Sequence, residues 1–440
     1  DVYWLDIAAP LDPAPARIPT SGAMVTGVTS RTANSTTTIE AEKDLLYVAS
    51  LADGAGRDHW FWELLVSPGT LEVPLLLDHV VVQDASNELE LWLEAWNQDP
   101  LEPLDHSVVV RLNGVDLGTV DKNGSGPIGG SFSIPPGVLS DGSNVIEIEA
   151  VDIGLPSVLF LDRLELRFSR EHFARSNRLE FGLNGPGPHK IEGFDRPEIN
   201  LYRTSGPAGL AWIDAPTYPP ASFGPLTPSL GRRSFEQTFM VGVGGGGRFE
   251  AFTEAGARTP VAVLPRTTQP IIAPLVSVDL IVITPARWAL ELDPLVSFRR
   301  SQGWSVEVVE LEAIFDEFGG GRETTDAIRE FLSQAWFEWP APAPSAVLLV
   351  GDATYDPSGN LGHSSLQVLP TRLIETPYLE AASDHWFGDV EGMDGISELV
   401  VGRFPVSTRE ECRGVVEKIV DHETRGILVS GLSVFASDDE

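Results

Sequence analysis

The residues best suited to chemistry gather late in the chain. Asp352 and Asp356 follow the apolar run Ala346–Val350 in AVLLVGDATYDP. Glu391, Asp394, Glu398 and Arg403 lie in SDHWFGDVEGMDGISELVVGRFPV, around a second apolar run, Leu399–Val401. Carboxylate and carbonyl oxygens brought together are what calcium takes as ligands, so Asp352 with the Glu391–Glu398 loop forms a candidate cation site. The alternative is a solvated acidic loop in an acidic chain. For nucleophilic catalysis the candidates are one thiol, Cys412, and the imidazoles of His385 and His422. Cys412 shares a helical phase with Val415, Val416, Ile419 and Val420, which predicts a small core residue rather than a nucleophile. His422 is ten positions along the same helix, roughly 15 Å away at ~1.5 Å per residue, too far to pair with it. His385, in the SDHWF loop, is better placed by region, though loop histidines more often pack or face solvent. Asp438, Asp439 and Glu440, taken alone, read as a solvated acidic tail.

These residues need a scaffold, and the pattern from about Ser277 supplies one. Asp279–Ile283, Ser305–Val309, Ala346–Val350, Leu399–Val401 and Gly431–Ala436 are short apolar runs of the kind that form buried parallel strands. Between them, Thr284-Pro285 and Asp293-Pro294 signal helix starts, and Gly303 a helix end. Thr325–Trp336 has helical spacing, and Ser407 with Glu410 makes a capping box for a helix to about His422. Strands alternating with helices imply a doubly wound parallel sheet, whose ligand crevice lies beyond the carboxyl ends of its strands. Asp352, Asp356 and Arg403 are expected at that edge.

Upstream the chain reads as all-β, giving a multidomain protein: a β-rich leading segment (1–57), a jelly-roll sandwich (58–170), a second small β-domain or linker (171–276) and the α/β domain (277–440). Glu88–Trp96 alternates apolar and polar residues as a half-buried strand does. Asn113-Gly114 between two strand-like runs is a hairpin-turn signal. The leading segment is expected to pair with the second β-domain, making the jelly roll an insertion. Gly244–Gly247 lacks a following Gly-Lys-Ser/Thr and reads as a hairpin tip rather than a phosphate loop. Trp60, Phe61, Trp62, Trp92 and Trp96 read first as sandwich core, with a glycan-binding face as the alternative.

Composition narrows the partners. The net charge of the 440 residues is −34, which excludes nucleic acid as an expected partner. Four of the 30 basic residues are lysine, a bias that either genome composition or salt adaptation produces. The single cysteine rules out an internal disulfide without deciding the compartment. No apolar run approaches the ~20 residues of a membrane span, and DVYWL is not a signal-peptide start. Both ends are expected to continue in a longer protein.

The α/β half resembles the gingipain-like cysteine peptidases, whose catalytic domain is caspase-like. The resemblance rests on DLIVITP, FRRSQGWSVEVVELEAIFDEFGGG, TTDAIREFLSQA, AVLLVGDATYDP, SDHWFGDVEGMDG, ELVVGRFPV and EECRGVVEKIVDHE, in that order. Upstream, DVYWL, RDHWFWELL, HSVVVRLNG and GSNVIEIEA resemble the β-rich region of larger bacterial members. The resemblance implies an exported or cell-surface bacterial endopeptidase acting on proteins or peptides, with its Cys nucleophile and His base downstream of Ala436. This chain is then expected to be inactive alone. Asp439 matches the acid that orients the catalytic His. The resemblance also implies a structural calcium held by Asp352, Glu391, Asp394, Ile396 and Glu398, Glu391 and Ile396 through carbonyls. A type IX secretion sortase-like transpeptidase and a non-enzymatic surface protein, with possible cell-surface glycans as ligands, are the alternatives.

Overall fold

A computed structural model of the chain describes residues 20–22, 34–51, 57–183, 185–206, 210–214, 217–218, 235–241, 246–259, 268–362, 367–392 and 394–425. The chain divides into two compact units, one within residues 8–263 and the other from Leu264 onward.

The first unit is β-rich. Glu88–Ala95, Gly126–Ser133, Val158–Glu171 and Asn34–Glu42 form one antiparallel sheet, with Glu63–Val66 also pairing on the long third strand. Gly69–Leu77, Gly142–Ala150, His106–Leu112 and Val115–Lys122 form another. Alternation decides what enters the core: Leu89, Leu91 and Leu93 are buried, while Glu88, Glu90 and Trp92 between them are half-buried. They meet Val108, Val110, Ile146 and Ile148 of the second sheet in one apolar cluster. Asn113 and Gly114 both have positive φ, 52° and 75°, as the expected hairpin turn requires.

The aromatic residues of this module divide. Phe61 is buried, Trp62 packs against the core, Trp92 lies under the Arg163 guanidinium at 4.4 Å, and Trp96 is exposed, edge-on to Phe160.

The same unit contains a further pair of sheets. Thr20–Gly22, Ala211–Asp214, Asn200–Arg203, Gly247–Phe252 and Arg178–Leu183 form one; Gly187–Phe194, Phe235–Val241 and Thr217–Tyr218 form the other. Thr20–Gly22 therefore pairs in this module, whereas Asn34–Glu42 pairs in the jelly roll. The core holds Phe181, Phe194, Phe239 and Phe249. Phe235–Val241 and Gly247–Phe252, which flank the hairpin tip expected at Gly244–Gly247, pair in different sheets, and Gly244 and Gly245 lie outside the described residues. Among the described residues of this unit the only helical element is the 3-10 turn Glu254–Gly256.

The second unit is α/β. Its strands β1 (Leu280–Thr284), β2 (Val306–Glu310), β3 (Ala346–Val350) and β4 (Val400–Phe404) are all parallel, in the order β2-β1-β3-β4. The helices are α1 (Asp293–Ser301), α2 (Leu311–Phe318), α3 (Thr325–Glu338), α4 (His385–Gly388) and α5 (Arg409–Arg425). Alternate strand residues feed two cores. Ile281, Ile283, Val347 and Leu349 join α2 and α3 through Ile314, Phe315, Ile328 and Phe331. Val282 and Val350 join α1 and α5 through Leu295, Val296, Cys412 and Val416. This is the doubly wound arrangement, with helices on both faces.

Local signals shift by small steps. Pro285 precedes a 3-10 segment, Ala286–Leu292, and the α-helix starts at Asp293 with proline in its first turn. Gly303, with φ 96°, closes the chain away from α1. The capping box of α5 is Thr408 with Glu411, one residue later than Ser407 with Glu410. The Glu411 amide donates to Thr408 Oγ1 at 3.2 Å, and the Glu411 carboxylate accepts from the Thr408 amide at 3.3 Å. A hairpin, Arg372–Glu375 with Glu380–Ser383, and helices α2 and α4 are additions to the expected elements. The expected strand Gly431–Ala436 lies outside the described residues.

Candidate active site

The carboxyl edge of the parallel sheet is built from three backbone segments. Past the end of β3 the ladder continues: the Gly351 amide donates to Phe404 O at 3.0 Å and the Asp352 amide to Val406 O at 2.9 Å. The Asp352 carbonyl then accepts from the amides of Val368 and Leu369. Gly351 is required there. Its φ is 147°, and a Cβ would stand 2.7 Å from Val368 Cγ1. Asp356 is fully buried; its two carboxylate oxygens accept from the amides of Asn360 and Leu361 at 2.7 and 2.8 Å. It shapes the loop by holding those amides.

Arg403, on β4, is the hub of this edge, with only 12% of its side chain exposed. Its Nε and Nη2 donate to the two oxygens of Asp384, both at 2.7 Å. Its Nη1 donates to Gly351 O at 2.6 Å and Leu369 O at 2.8 Å, and Nη2 also to Pro370 O at 3.1 Å. Thr371 Oγ1 adds a bond to Asp384 at 2.9 Å. From Asp384 the chain enters α4, whose Phe387 is buried in the core. The guanidiniums of Arg329 and Arg372 each lie over the Trp386 ring, 4.8 Å from its centroid.

The acidic loop follows. Arg329 donates to Asp389 O through Nε at 2.8 Å and also through Nη2. Asp389 Oδ2 accepts from the Gly395 amide at 3.0 Å. Its buried Oδ1 accepts no hydrogen bond. Glu398 Oε2 accepts from the amides of Val390 and Glu391 at 2.9 and 3.0 Å, and Asp394 Oδ1 from the Ile396 amide at 2.9 Å. The side chain of His385 reaches Gly395 O through Nε2 at 3.1 Å.

The expected junction between this loop and Asp352 is absent. Asp352 follows β3 at the carboxyl edge of the sheet, whereas Glu398 precedes β4, and the Val400 amide bonds to Ser345 O at the amino edge. The five residues of β4, ~16 Å of strand, lie between the two edges. Asp352 turns its carboxylate to Ser407 Oγ at 3.3 Å and to the Ala353 amide at 2.9 Å. No three of Asp352, Glu391, Asp394 and Glu398 bring carboxylate oxygens within 4.8 Å of one another. The loop by itself keeps the donor chemistry of a hard-cation site. Asp389, Asp394 and Glu398 each spend one oxygen on backbone amides, and Asp389, whose Oδ1 lies 4.0 Å from Arg329 Nη2, joins the candidate set. That residue escaped sequence reasoning because its spacing sets it outside the Glu391–Glu398 run.

Cys412 is fully buried on α5, and burial, with Glu291 nearby, pushes its thiol above the ordinary range. That is the reverse of an activated nucleophile. His422 is exposed further along the same helix, and Asp439 lies outside the described residues.

Residues 273–440 match the sequence model of Peptidase family C25. This part of the chain is similar to the gingipain-like cysteine peptidases. Gingipain R2 of Porphyromonas gingivalis is 26% identical over 144 residues, which are 33% of this chain and 16% of that protein. The crystal structure of dimeric latent PorU from Porphyromonas gingivalis aligns with 93% of the chain and 40% of its own length, at 18% identity and a TM-score of 0.64. The chain thus spans well under half of either relative. The PorU likeness covers both units and shows a shared fold, β-rich unit included. Among the described residues no helix is long and apolar enough to cross a membrane.

Proposed function

We propose that the intact protein is a bacterial cysteine endopeptidase, exported or displayed at the surface, and that this chain carries its β-rich accessory unit and the front of its catalytic domain. The observation that carries the proposal is the family C25 match over 273–440, on a β2-β1-β3-β4 sheet whose carboxyl edge is ordered around Arg403. In this reading a cysteine thiolate attacks the scissile carbonyl, and an imidazolium then protonates the leaving amine. Neither group is supplied by Cys412 with His422, or by His385 on its Gly395 carbonyl. The described residues build the floor of the crevice: the Gly351–Asp352 turn, the Val368–Pro370 segment and the loop entering at Asp384. Asp439 is assigned, by resemblance, as the acid that orients the histidine. The β-rich unit is proposed as an accessory or inhibitory pro-region.

Calcium belongs to the same proposal, held by the loop Asp389–Glu398 through Asp389, Glu391, Asp394, Glu398 and the Ile396 carbonyl, without Asp352. A bound calcium would neutralise clustered carboxylates and stiffen the loop that leads into β4.

The test is cleavage of a peptide library by the intact protein, with and without a thiol alkylator. Thiol-dependent cleavage is expected, and an added amine acceptor separates hydrolysis from transpeptidation. Alkylator-insensitive or absent cleavage overturns the reading.

A further inference from the structure

The guanidinium of Arg403 has five N–H bonds, and all five find acceptors: two on Asp384, and one each on the carbonyls of Gly351, Leu369 and Pro370. These acceptors come from three segments that meet only in the folded state: the turn after β3, the segment before the hairpin, and the residue that enters α4. A buried charge is costly unless its partners are complete, so the set is specified as a whole. We propose that Arg403 is the positioning residue of the carboxyl-edge crevice, fixing the Asp384–Asp389 segment against the ends of β3 and β4.

Arg329 holds the far end of the same segment through the Asp389 carbonyl. Between the two arginines, Gly388 permits close approach to the strand, since a Cβ there would stand 2.0 Å from Ser397 Oγ and 2.6 Å from Leu399 O. The segment is therefore located at both ends and at its middle. Lysine cannot replace Arg403, because an ammonium has three donors and no planar fork. The consequence for catalysis rests on the peptidase reading above: crevice loops displaced by about an ångström cost up to ~100-fold in rate.

Two measurements test the proposal separately. Amide hydrogen exchange on this chain compares wild type with Arg403→Lys and Asp384→Asn. Exchange at residues 384–390 and 369–371 is expected to quicken about tenfold or more while β1 and β3 keep their protection. In the intact protein, Arg403→Lys is expected to lower kcat on a fluorogenic peptide roughly 10- to 100-fold, with KM within about threefold. Unchanged exchange in both variants overturns the clamp whatever the activity does. Faster exchange with unchanged kcat overturns the positioning role. An intact wild type without thiol-dependent activity removes the catalytic consequence, while exchange still decides whether Arg403 fixes the segment. Asp384→Asn keeps the test open should Arg403→Lys fail to fold.

Discussion

The second β-sandwich should be acid-sensitive through His172. This imidazole is 3% exposed, its ring centroid 4.7 Å from that of Phe181, and it is coupled to His189, itself 5% exposed and 5.8 Å from the Phe239 ring. Burial first, then the charges of His189 and Arg170, depress the pKa of His172 from 6.5 to about 4, and neither ring nitrogen has a hydrogen-bond partner among the described residues. Above pH 6.5 the imidazole is neutral whether folded or unfolded, and its full contribution is present. As pH falls, the unfolded chain takes up a proton that the native state refuses until about pH 4. Stability is lost across that window. At ~1.36 kcal/mol per pH unit the loss approaches about 3 kcal/mol.

The raw pH profile of the unit also carries a slope of the other sign. Asp162, close to Glu42 and Asp58, is raised to about 6 by burial and by Asp58, Asp44 and Glu40, against Arg163. It gains a proton in the native state first, so it adds stability as pH falls through 6. The measurement is therefore a difference: urea midpoints of wild type and His172→Phe at pH 7.5, 5.5 and 4, followed by near-ultraviolet circular dichroism. Wild type should lose roughly 3 kcal/mol more than the variant between pH 7.5 and 4. Parallel profiles would refute the assignment of His172 as a buried neutral imidazole.

Other tests follow from the same geometry. Cys412 should resist a thiol reagent until the second unit unfolds, and Cys412→Ala should cost about 1 kcal/mol in denaturant melts; rapid native labelling contradicts its burial. Asp356→Ala should cost about 2 kcal/mol by thermal unfolding, since the amides of Asn360 and Leu361 lose their buried acceptor. Calcium should raise the melting temperature of the chain, with Glu398→Gln and Asp389→Asn shrinking the increment and Asp352→Asn leaving it intact. Loss of the increment in Asp352→Asn alone would show that the loop is not the site.

Much of the architecture was legible because periodicity is local. Leu89, Leu91 and Leu93 announce a half-buried strand, and the Asn113-Gly114 pair a tight turn, with no knowledge of partners. The apolar runs at β1 to β3 announce a buried parallel sheet in the same way. The hairpin Arg372–Glu375 with Glu380–Ser383 was not legible, since all of Arg372–Glu375 is half-buried and neither strand alternates cleanly. Helix α2 was hidden because Leu311–Phe318 follows β2 with no linker, and its N-cap is Glu310, the last residue of that strand. The five acceptors of Arg403 were equally hidden, because three of them are backbone carbonyls, which carry no sequence signal.

The misplacement of Asp352 has a different cause, since the topology needed to avoid it was already implied. In a parallel sheet every strand starts at one edge and ends at the other. A residue just after one strand and a residue just before its neighbour therefore lie on opposite edges, however close the strands run. Asp352 follows β3 and Glu398 precedes β4, so once both strands are called parallel their carboxylates cannot share an ion without a loop crossing the sheet. Asp384 does cross: its loop reaches the carboxyl edge at Arg403 and returns to the amino edge at Gly388, whose carbonyl accepts from the Glu398 amide at 2.9 Å. The loop after Asp384 thus links the two edges, and it is Asp384, not the carboxylates from Glu391 onward, that meets the strand ends where Asp352 lies.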